Sequence, residues 1–224
     1  MHYLKILSLY FIVIPLFSLL LSSSPSSLHL IEQRQAIAQP AASEPSQQAL
    51  TFYNEGLNAS NSGNYDQAIQ FYDRALEIDP NYIDALDGKG YVLDNLARYD
   101  EAITYCDKVL AIDPNNIDAL INKGVALNGL ARYDEAITYY DKALTIDPND
   151  VAALSNKGNS LNNLGRYDQA IEYSNRALDI NPNDAYSLNT KGWSLNGLAR
   201  YDEAITYYDK ALTIDPNNID ALIN

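Results

Sequence analysis

Arg132–Asn149 reads RYDEAITYYDKALTIDPN, and the same letters return without change as Arg200–Asn217. The two copies lie 68 residues apart, which is twice 34, and related versions occupy the positions between and beside them. A chain that repeats one 34-residue unit folds as a stack of that unit rather than around one closed core. The sequence therefore predicts an elongated array whose function belongs to a long surface.

Each 34-residue unit contains two stretches with helical hydrophobic spacing. In the third unit, Leu120 and Leu127 fall on one stripe, and Ala136 and Tyr140 fall on the stripe of the next stretch. Residues three, four or seven apart share one face of an α-helix, so both stretches are predicted to be amphipathic helices. Pro148 ends the second stretch because proline lacks the N–H group and clashes with the preceding turn. The unit is therefore predicted to be a pair of antiparallel helices.

Glycine recurs at one position inside the first predicted helix of every unit, as Gly56, Gly90, Gly124, Gly158 and Gly192. Glycine in a helix interior costs about 0.5–1 kcal/mol relative to alanine, so its repetition needs a compensating gain. We expect that gain to be the close approach of the two helices of a unit.

The recurring glycines, the alanines of the second helices and the terminal proline resemble the pattern of tetratricopeptide repeats over residues 49–218. The resemblance implies an all-α fold, a right-handed superhelical solenoid of antiparallel helix pairs. Five units are expected, at 49–82, 83–116, 117–150, 151–184 and 185–218, with 219–224 as the truncated start of a sixth. It also implies a concave face lined by the first helices, which in this family commonly binds peptides.

Two features depart from that family pattern. Lysine stands in place of the usual leucine before the glycine in four units, as Lys89, Lys123, Lys157 and Lys191. We interpret these side chains as stems that cover the seam between units, with ammonium groups reaching acids such as Asp113 or Asp147. An anion-binding row is the alternative. Cys106 replaces a second-helix tyrosine, and with Val109 it is interpreted as a volume-conserving exchange in a buried layer.

Residues 1–38 are predicted to be a targeting segment. Ile6–Leu21 carries no charge, and at helical rise it covers roughly 24 Å, less than the roughly 30 Å of a bilayer's hydrocarbon core. A cleaved signal peptide is favoured, and a membrane anchor through residues 6–21 is the alternative. In both cases the array is expected to be exported, as a periplasmic, extracellular or outward-facing anchored protein. Gln39–Gln48 is predicted to be a flexible linker.

The net charge of the array and the residue types that it lacks argue against several classes of function. The array carries the whole formal net charge of −14, because Lys5 and Arg34 balance Glu32 and Glu44 before it. So acidic a surface repels phosphate backbones, and we expect no nucleic-acid partner. Both histidines precede the array, which also lacks phosphate-loop and serine-hydrolase motifs. We therefore expect no catalytic, cofactor-binding or metal-binding residues, and no enzyme.

Asparagines form two rows on the face of the first helices that points away from the leucine stripe. An amide can donate to and accept from the backbone of an extended peptide, and the alternative is a merely solvated face. Tyr91, Val125 and Trp193 on the same face are expected to add selectivity. The predicted peptide-binding residues are Asn54, Tyr91, Asn122, Val125, Asn128, Asn156, Asn159, Asn162, Trp193 and Asn196.

The same face carries Asp84, Asp87 and Asp118 but no lysine or arginine. Some members of the family bind a C-terminal carboxylate through basic residues in the groove, and this chain lacks those residues. That mode of binding is therefore not expected here.

We interpret the chain as a non-enzymatic scaffold that binds an extended peptide or partner protein in the concave groove. One alternative is a membrane-anchored assembly factor, and another is the substrate-recruiting repeat region of a larger enzyme such as a protein glycosyltransferase. The partial sixth unit leaves the last apolar face without a covering helix, which would allow end-to-end self-association.

Overall fold

The computed structural model describes residues 45–216, and these contain ten α-helices and no β-strand. The helices are α1 (Gln47–Asn61), α2 (Tyr65–Ile78), α3 (Ile83–Asn95), α4 (Tyr99–Ile112), α5 (Ile117–Gly129), α6 (Tyr133–Ile146), α7 (Val151–Asn163), α8 (Tyr167–Ile180), α9 (Ala185–Gly197) and α10 (Tyr201–Ile214). Odd-numbered helices are the first helices of their units and even-numbered helices are the second.

Polar side chains cap the start of four of the five first helices, and α3, which follows Tyr82, has no side-chain cap. The side-chain oxygen of Ser46 accepts a hydrogen bond from the N–H of Ala49 at 3.2 Å, which satisfies one of the free donors at a helix start. The equivalent caps of α5, α7 and α9 are Asn116, Asp150 and Asp184. Because Ser46 caps α1, that helix begins at Gln47, and the linker predicted at 39–48 overlaps it by two residues.

The turn inside each unit requires one residue in the left-handed backbone region. Gly63 and Gly165 occupy this position in the first and fourth units, with φ of 74° and 70°. Alanine occupies it in the other three units, with φ of 56–59°, at Ala97, Ala131 and Ala199. The left-handed backbone conformation costs an L-residue other than glycine roughly 1–2 kcal/mol. The three turns with alanine are therefore strained, and the two turns with glycine are not.

Every second helix packs against the first helix of its own unit and, where a next unit is described, against the first helix of that unit. Successive first helices also contact one another, so they form one continuous face. Buried alanines, leucines and tyrosines fill the layers between the helices, with Leu120, Tyr140 and Ala143 among them in the third unit. The predicted all-α solenoid of stacked helix pairs is confirmed.

Three of the five recurring glycines make room for tyrosine rings of the second helices, at a position where the repetition of glycine predicted a close approach of the two helices. A Cβ atom on Gly124 would lie 2.4 Å from Cε1 of Tyr140, and Gly56 and Gly192 face tyrosines in the same way. The layer alternates along the array, because the residue opposite each glycine is in turn Tyr72, Cys106, Tyr140, Ser174 and Tyr208. All five of these side chains are buried.

The lysine row lies on the seam between units, as predicted, but with different acidic partners from those expected. Lys89, Lys123 and Lys157 each bond to an aspartate on the second helix of the preceding unit, namely Asp73, Asp107 and Asp141. The prediction of Asp113 or Asp147 was therefore wrong. Each of the four lysines, including Lys191, also lies 4.0–4.6 Å from the centre of a tyrosine ring. The lysine stems run across the packed helices, so their charges end beside acids inside the second helix, six residues before the expected Asp113 and Asp147.

Several predictions fall on residues outside 45–216. The signal or anchor segment, most of the linker and the start of a sixth unit lie there. Among the described helices, none has the length and apolar character needed to cross a bilayer. On α10, the last described helix, Tyr201 and Ile205 are 60% and 56% exposed. Ile103, which is the equivalent of Ile205 in the second unit, packs against the core.

Candidate functional site

The candidate site is the face of the first helices that points away from the second helices, which we name the first-helix face. It is built from positions that recur once per unit on α1, α3, α5, α7 and α9. The predicted binding residues fall into three groups here: amides that bond to a serine of the next first helix, amides that make hydrogen bonds at the surface, and accessible apolar or polar side chains.

Asn128 and Asn162 join successive first helices. The hydroxyl of Ser160 donates to Oδ1 of Asn128 at 2.8 Å, and the hydroxyl of Ser194 donates to Oδ1 of Asn162 at 2.7 Å. Nδ2 of Asn128 donates to the Tyr140 hydroxyl at 3.2 Å. Nδ2 of Asn162 donates to the backbone oxygen of Thr190, and Asn162 is only 2% exposed.

The prediction that Asn162 contacts a bound peptide was therefore wrong. A side chain that is buried between two helices, and bonded to the next helix through both its nitrogen and its oxygen, cannot reach a ligand on the surface. Sequence reasoning missed Ser160 and Ser194, which lie 32 residues after their asparagine partners. This spacing of two residues less than the repeat length was the one signal in the sequence that could have identified the two serines as partners.

The second unit lacks this polar contact between first helices. Asp94 stands where the third and fourth units have asparagine, and Ala126 stands where the following units have serine. As a result Oδ1 of Asp94 is buried and has no hydrogen-bond partner among the described residues. Burial raises the pKa of the Asp94 carboxyl above its usual range, because a charged group is disfavoured away from water.

Asn122 and Asn156 are half-buried and make bonds on the first-helix face. Nδ2 of Asn122 donates to Oδ1 of Asp87 in the preceding unit at 2.9 Å. Nδ2 of Asn156 donates to the backbone oxygen of Ala152, and its Oδ1 accepts from the Tyr186 hydroxyl at 3.3 Å. These surface bonds can exchange with a ligand, because water also competes for them.

The remaining predicted residues present side chains at the surface. Tyr91 is 52% exposed and Asn54 is exposed, whereas Val125, Trp193 and Asn196 are half-buried. Asn159 is half-buried, and its Oδ1 accepts from Asn163. The first-helix face therefore offers aromatic and amide groups in several successive units.

A cavity of about 340 Å³ opens on this face between the first three units. Tyr53 and Leu57 of α1 and Tyr91 of α3 supply its aromatic and aliphatic walls, and Asp87 and Asp118 lie among its carboxylates. The ring centres of Tyr53 and Tyr72 lie 6.1 Å apart, so the tyrosines form a connected aromatic surface. Sequence reasoning placed Tyr91, Asp87 and Asp118 on one face but did not predict that they line a cavity.

No arrangement suited to metal binding or thiol chemistry occurs in the described part of the chain. Within residues 45–216 there is no group of three or more histidine, cysteine or acidic side chains that could hold a metal ion. Cys106 is buried, and burial raises the pKa of its thiol to about 12. A thiol that stays protonated is a poor nucleophile, so Cys106 acts as a packing residue, as predicted.

Comparisons with known proteins assign the repeats to a family. Sequence models of the tetratricopeptide repeat match residues 49–82, 83–116, 117–150 and 150–217. A stretch of 50 residues is 34% identical to the photosystem I assembly protein Ycf3 of Acaryochloris marina (strain MBIC 11017). That match covers 22% of this chain and 30% of the relative's own length.

Solved structures share the fold at low sequence identity. TTC0263, a thermophilic TPR protein from Thermus thermophilus, superposes with a TM-score of 0.69 at 20% identity, over 78% of this chain and 95% of its own. The MamA protein superposes at 0.61 with 23% identity, over 77% and 94%. YrrB, described as a TPR protein with an unusual peptide-binding site, superposes at 0.57 with 24% identity, over 89% and 97%. From its repeats, its helix pairs and the match over most of its length, the chain belongs to the tetratricopeptide repeat family.

Proposed function

We propose that this protein is a non-enzymatic scaffold that binds an extended peptide segment of a partner protein along the first-helix face. The observation that carries the proposal is the continuity of this face. Successive first helices contact one another, and each unit places a half-buried or exposed aromatic or amide side chain at one of two recurring positions, as Asn54, Tyr91, Asn122, Asn156 and Trp193.

An extended chain suits this geometry because it presents side chains and backbone groups at short intervals along its length. It can therefore contact the recurring positions of several successive units. The accessible amides can pair with its backbone, at a net gain of about 0.5–1.5 kcal/mol for each hydrogen bond. Tyr91 and Trp193 supply larger contact areas of the kind that dominate binding energy. A likeness in fold to YrrB, whose description names a peptide-binding site, agrees with this proposal.

The test uses the single tryptophan of the chain as a reporter. Trp193 lies half-buried on α9, so a peptide bound along the face changes its fluorescence. Peptides selected from a displayed random library of short peptides would be titrated into the full chain and into two variants. Asn159→Arg places a bulky charge on the first-helix face, and Thr138→Arg places the same side chain on the exposed surface of α6.

We expect Asn159→Arg to weaken binding of the selected peptides at least tenfold and Thr138→Arg to change it less than twofold. Circular dichroism would verify that both variants keep the helical content of the parent. Equal binding by the parent and Asn159→Arg, or a library that yields no binding peptide, would refute the proposal.

An assembly role is a second candidate, favoured by the short match to a photosystem I assembly protein. Export of the protein is part of the proposal and rests on the uncharged run at residues 6–21. Mass spectrometry of the native N-terminus tests export: a mature chain that begins after residue 21 supports a signal peptide, and retention of 6–21 in the membrane fraction supports an anchor. A chain with an intact N-terminus in the soluble cytoplasmic fraction would contradict both.

A further inference from the structure

The cavity between the first three units combines apolar and aromatic walls with several carboxylates. Tyr53, Leu57 and Tyr91 form its walls, and Tyr91 and Leu57 are among the most exposed large apolar side chains of the array. Its volume of about 340 Å³ is near the lower end of the range for small-molecule pockets. A cavity of this size can hold one long side chain.

Three carboxylates, from Asp84, Asp87 and Asp118, line this cavity, and no lysine or arginine lines it. Asp87 receives a hydrogen bond from Asn122, which carries no charge. Burial raises the pKa of the Asp87 carboxyl, and the nearby charges of Asp118 and Asp84 raise it further. The negative charge of the cavity is therefore not balanced by the described part of the protein.

The nearest lysines of the same helices are engaged elsewhere. Lys89 of α3 bonds to Asp73 and lies 4.6 Å from the centre of the Tyr105 ring, on the seam with the second helices. Lys123 of α5 bonds to Asp107 in the same way. Neither cation is available to neutralise the cavity without breaking a contact that stabilises the stack.

We propose that this cavity binds a lysine or arginine side chain of the peptide that occupies the first-helix face. A long cationic side chain can lay its aliphatic stem on Leu57 and the tyrosine rings while its charge reaches Asp87 and Asp118. The seam of this protein uses the same chemistry, since lysines there lie 4.0–4.6 Å from tyrosine ring centres. The inference rests on the proposed function and specifies its partner.

The cavity also fixes where along the array the basic residue binds. In the fourth unit, the residue equivalent to Asp87 is Ser155 and the residue equivalent to Asp118 is Ala152. Acidic side chains are therefore confined to one end of the first-helix face, and neutral side chains occupy the other. A bound peptide then needs its basic residue at one fixed place, which sets its register.

The test compares two peptide libraries and two charge-matched variants. One displayed library of random short peptides contains all amino acids, and the other omits lysine, arginine and histidine. Asp87→Asn/Asp118→Asn removes two charges from the cavity with little change of shape. Asp179→Asn/Asp209→Asn removes two charges from exposed positions on α8 and α10, which controls for the general acidity of the array.

We expect peptides from the full library to share a lysine or arginine at one position and to bind the full chain at least tenfold more tightly than those from the restricted library. Replacing that lysine by norleucine, or using Asp87→Asn/Asp118→Asn, should each lose at least tenfold, and the two losses should not add. Asp179→Asn/Asp209→Asn should stay within twofold. Thermal melts would verify that both variants are folded.

The outcomes separate this inference from the proposed function. Peptides that bind the first-helix face without a shared basic residue, or equal binding by Asp87→Asn/Asp118→Asn, would overturn the basic pocket and leave the scaffold proposal standing. Failure of both libraries to yield any binding peptide would overturn the two together.

Discussion

Replacing glycine by alanine in the first helices should change stability with opposite sign in neighbouring units. A Cβ atom at Gly90 would meet Tyr105 Cβ at 3.5 Å and Cys106 Sγ at 3.9 Å, which are ordinary contacts. Gly90→Ala should therefore stabilise the fold by about 0.5–1 kcal/mol, the usual gain of alanine over glycine inside a helix. At Gly124 the added atom would lie 2.4 Å from Cε1 of the fully buried Tyr140. Gly124→Ala should cost about 1–3 kcal/mol through overpacking.

Urea unfolding followed by far-ultraviolet circular dichroism measures both changes in free energy. A double-mutant cycle identifies the cause, because Tyr140→Cys gives the third unit the small side chain of the second. In that background Gly124→Ala should no longer destabilise. The reasoning would be refuted if Gly90→Ala and Gly124→Ala destabilised equally, or if Tyr140→Cys left the cost of Gly124→Ala unchanged.

Four further predictions concern other single features. Ala126→Ser offers a hydroxyl donor to the unpaired Oδ1 of Asp94 and should stabilise the fold by about 1 kcal/mol in urea unfolding; an unchanged midpoint would contradict this. Because burial raises the pKa of Asp94, its ionised form destabilises the folded state as the pH rises through that pKa. Asp94→Asn should therefore stabilise the protein at about pH 7, with a gain that disappears as the pH falls toward about 3, and a gain independent of pH would exclude ionisation as the cause. Cys106, whose pKa burial raises to about 12, should react with a disulfide reagent at about pH 8 only after urea unfolding, and rapid reaction of the native protein would show that it is accessible. Ala131→Gly should raise the free energy of unfolding by up to about 1 kcal/mol, since φ is 57° there and Gly165 already holds the equivalent turn; thermal unfolding compares the variant with the parent.

Helix positions were predictable from the sequence because the signals that set them are local. Hydrophobic spacing and Pro148 depend on residues within one or two turns, so α5 and α6 form where the pattern predicts them. The role of the glycines was also predictable, because a costly residue kept at one position implies a close approach. At Gly124 the group that comes close is the ring of Tyr140 rather than the backbone of the second helix.

The partners of polar side chains were predicted less well, because they lie in neighbouring units. Lys123 reaches Asp107 across the seam rather than an acid at a turn, since the direction of a long side chain depends on how two helices cross. Asn162 bonds to Ser194 and Thr190, a contact that depends on the offset between successive first helices. Neither the crossing angle nor the offset can be read from the spacing within one unit.

The alternation of large and small residues in the buried layer has a consequence for how such a protein gains or loses length. Tyr72, Tyr140 and Tyr208 alternate with Cys106 and Ser174, so odd and even units are not interchangeable parts. Excising one unit would bring two bulky layers, or two small ones, to the same junction. Excising two together would keep the alternation intact, and the distance of 68 residues between the identical stretches Arg132–Asn149 and Arg200–Asn217 is the length of such a two-unit module.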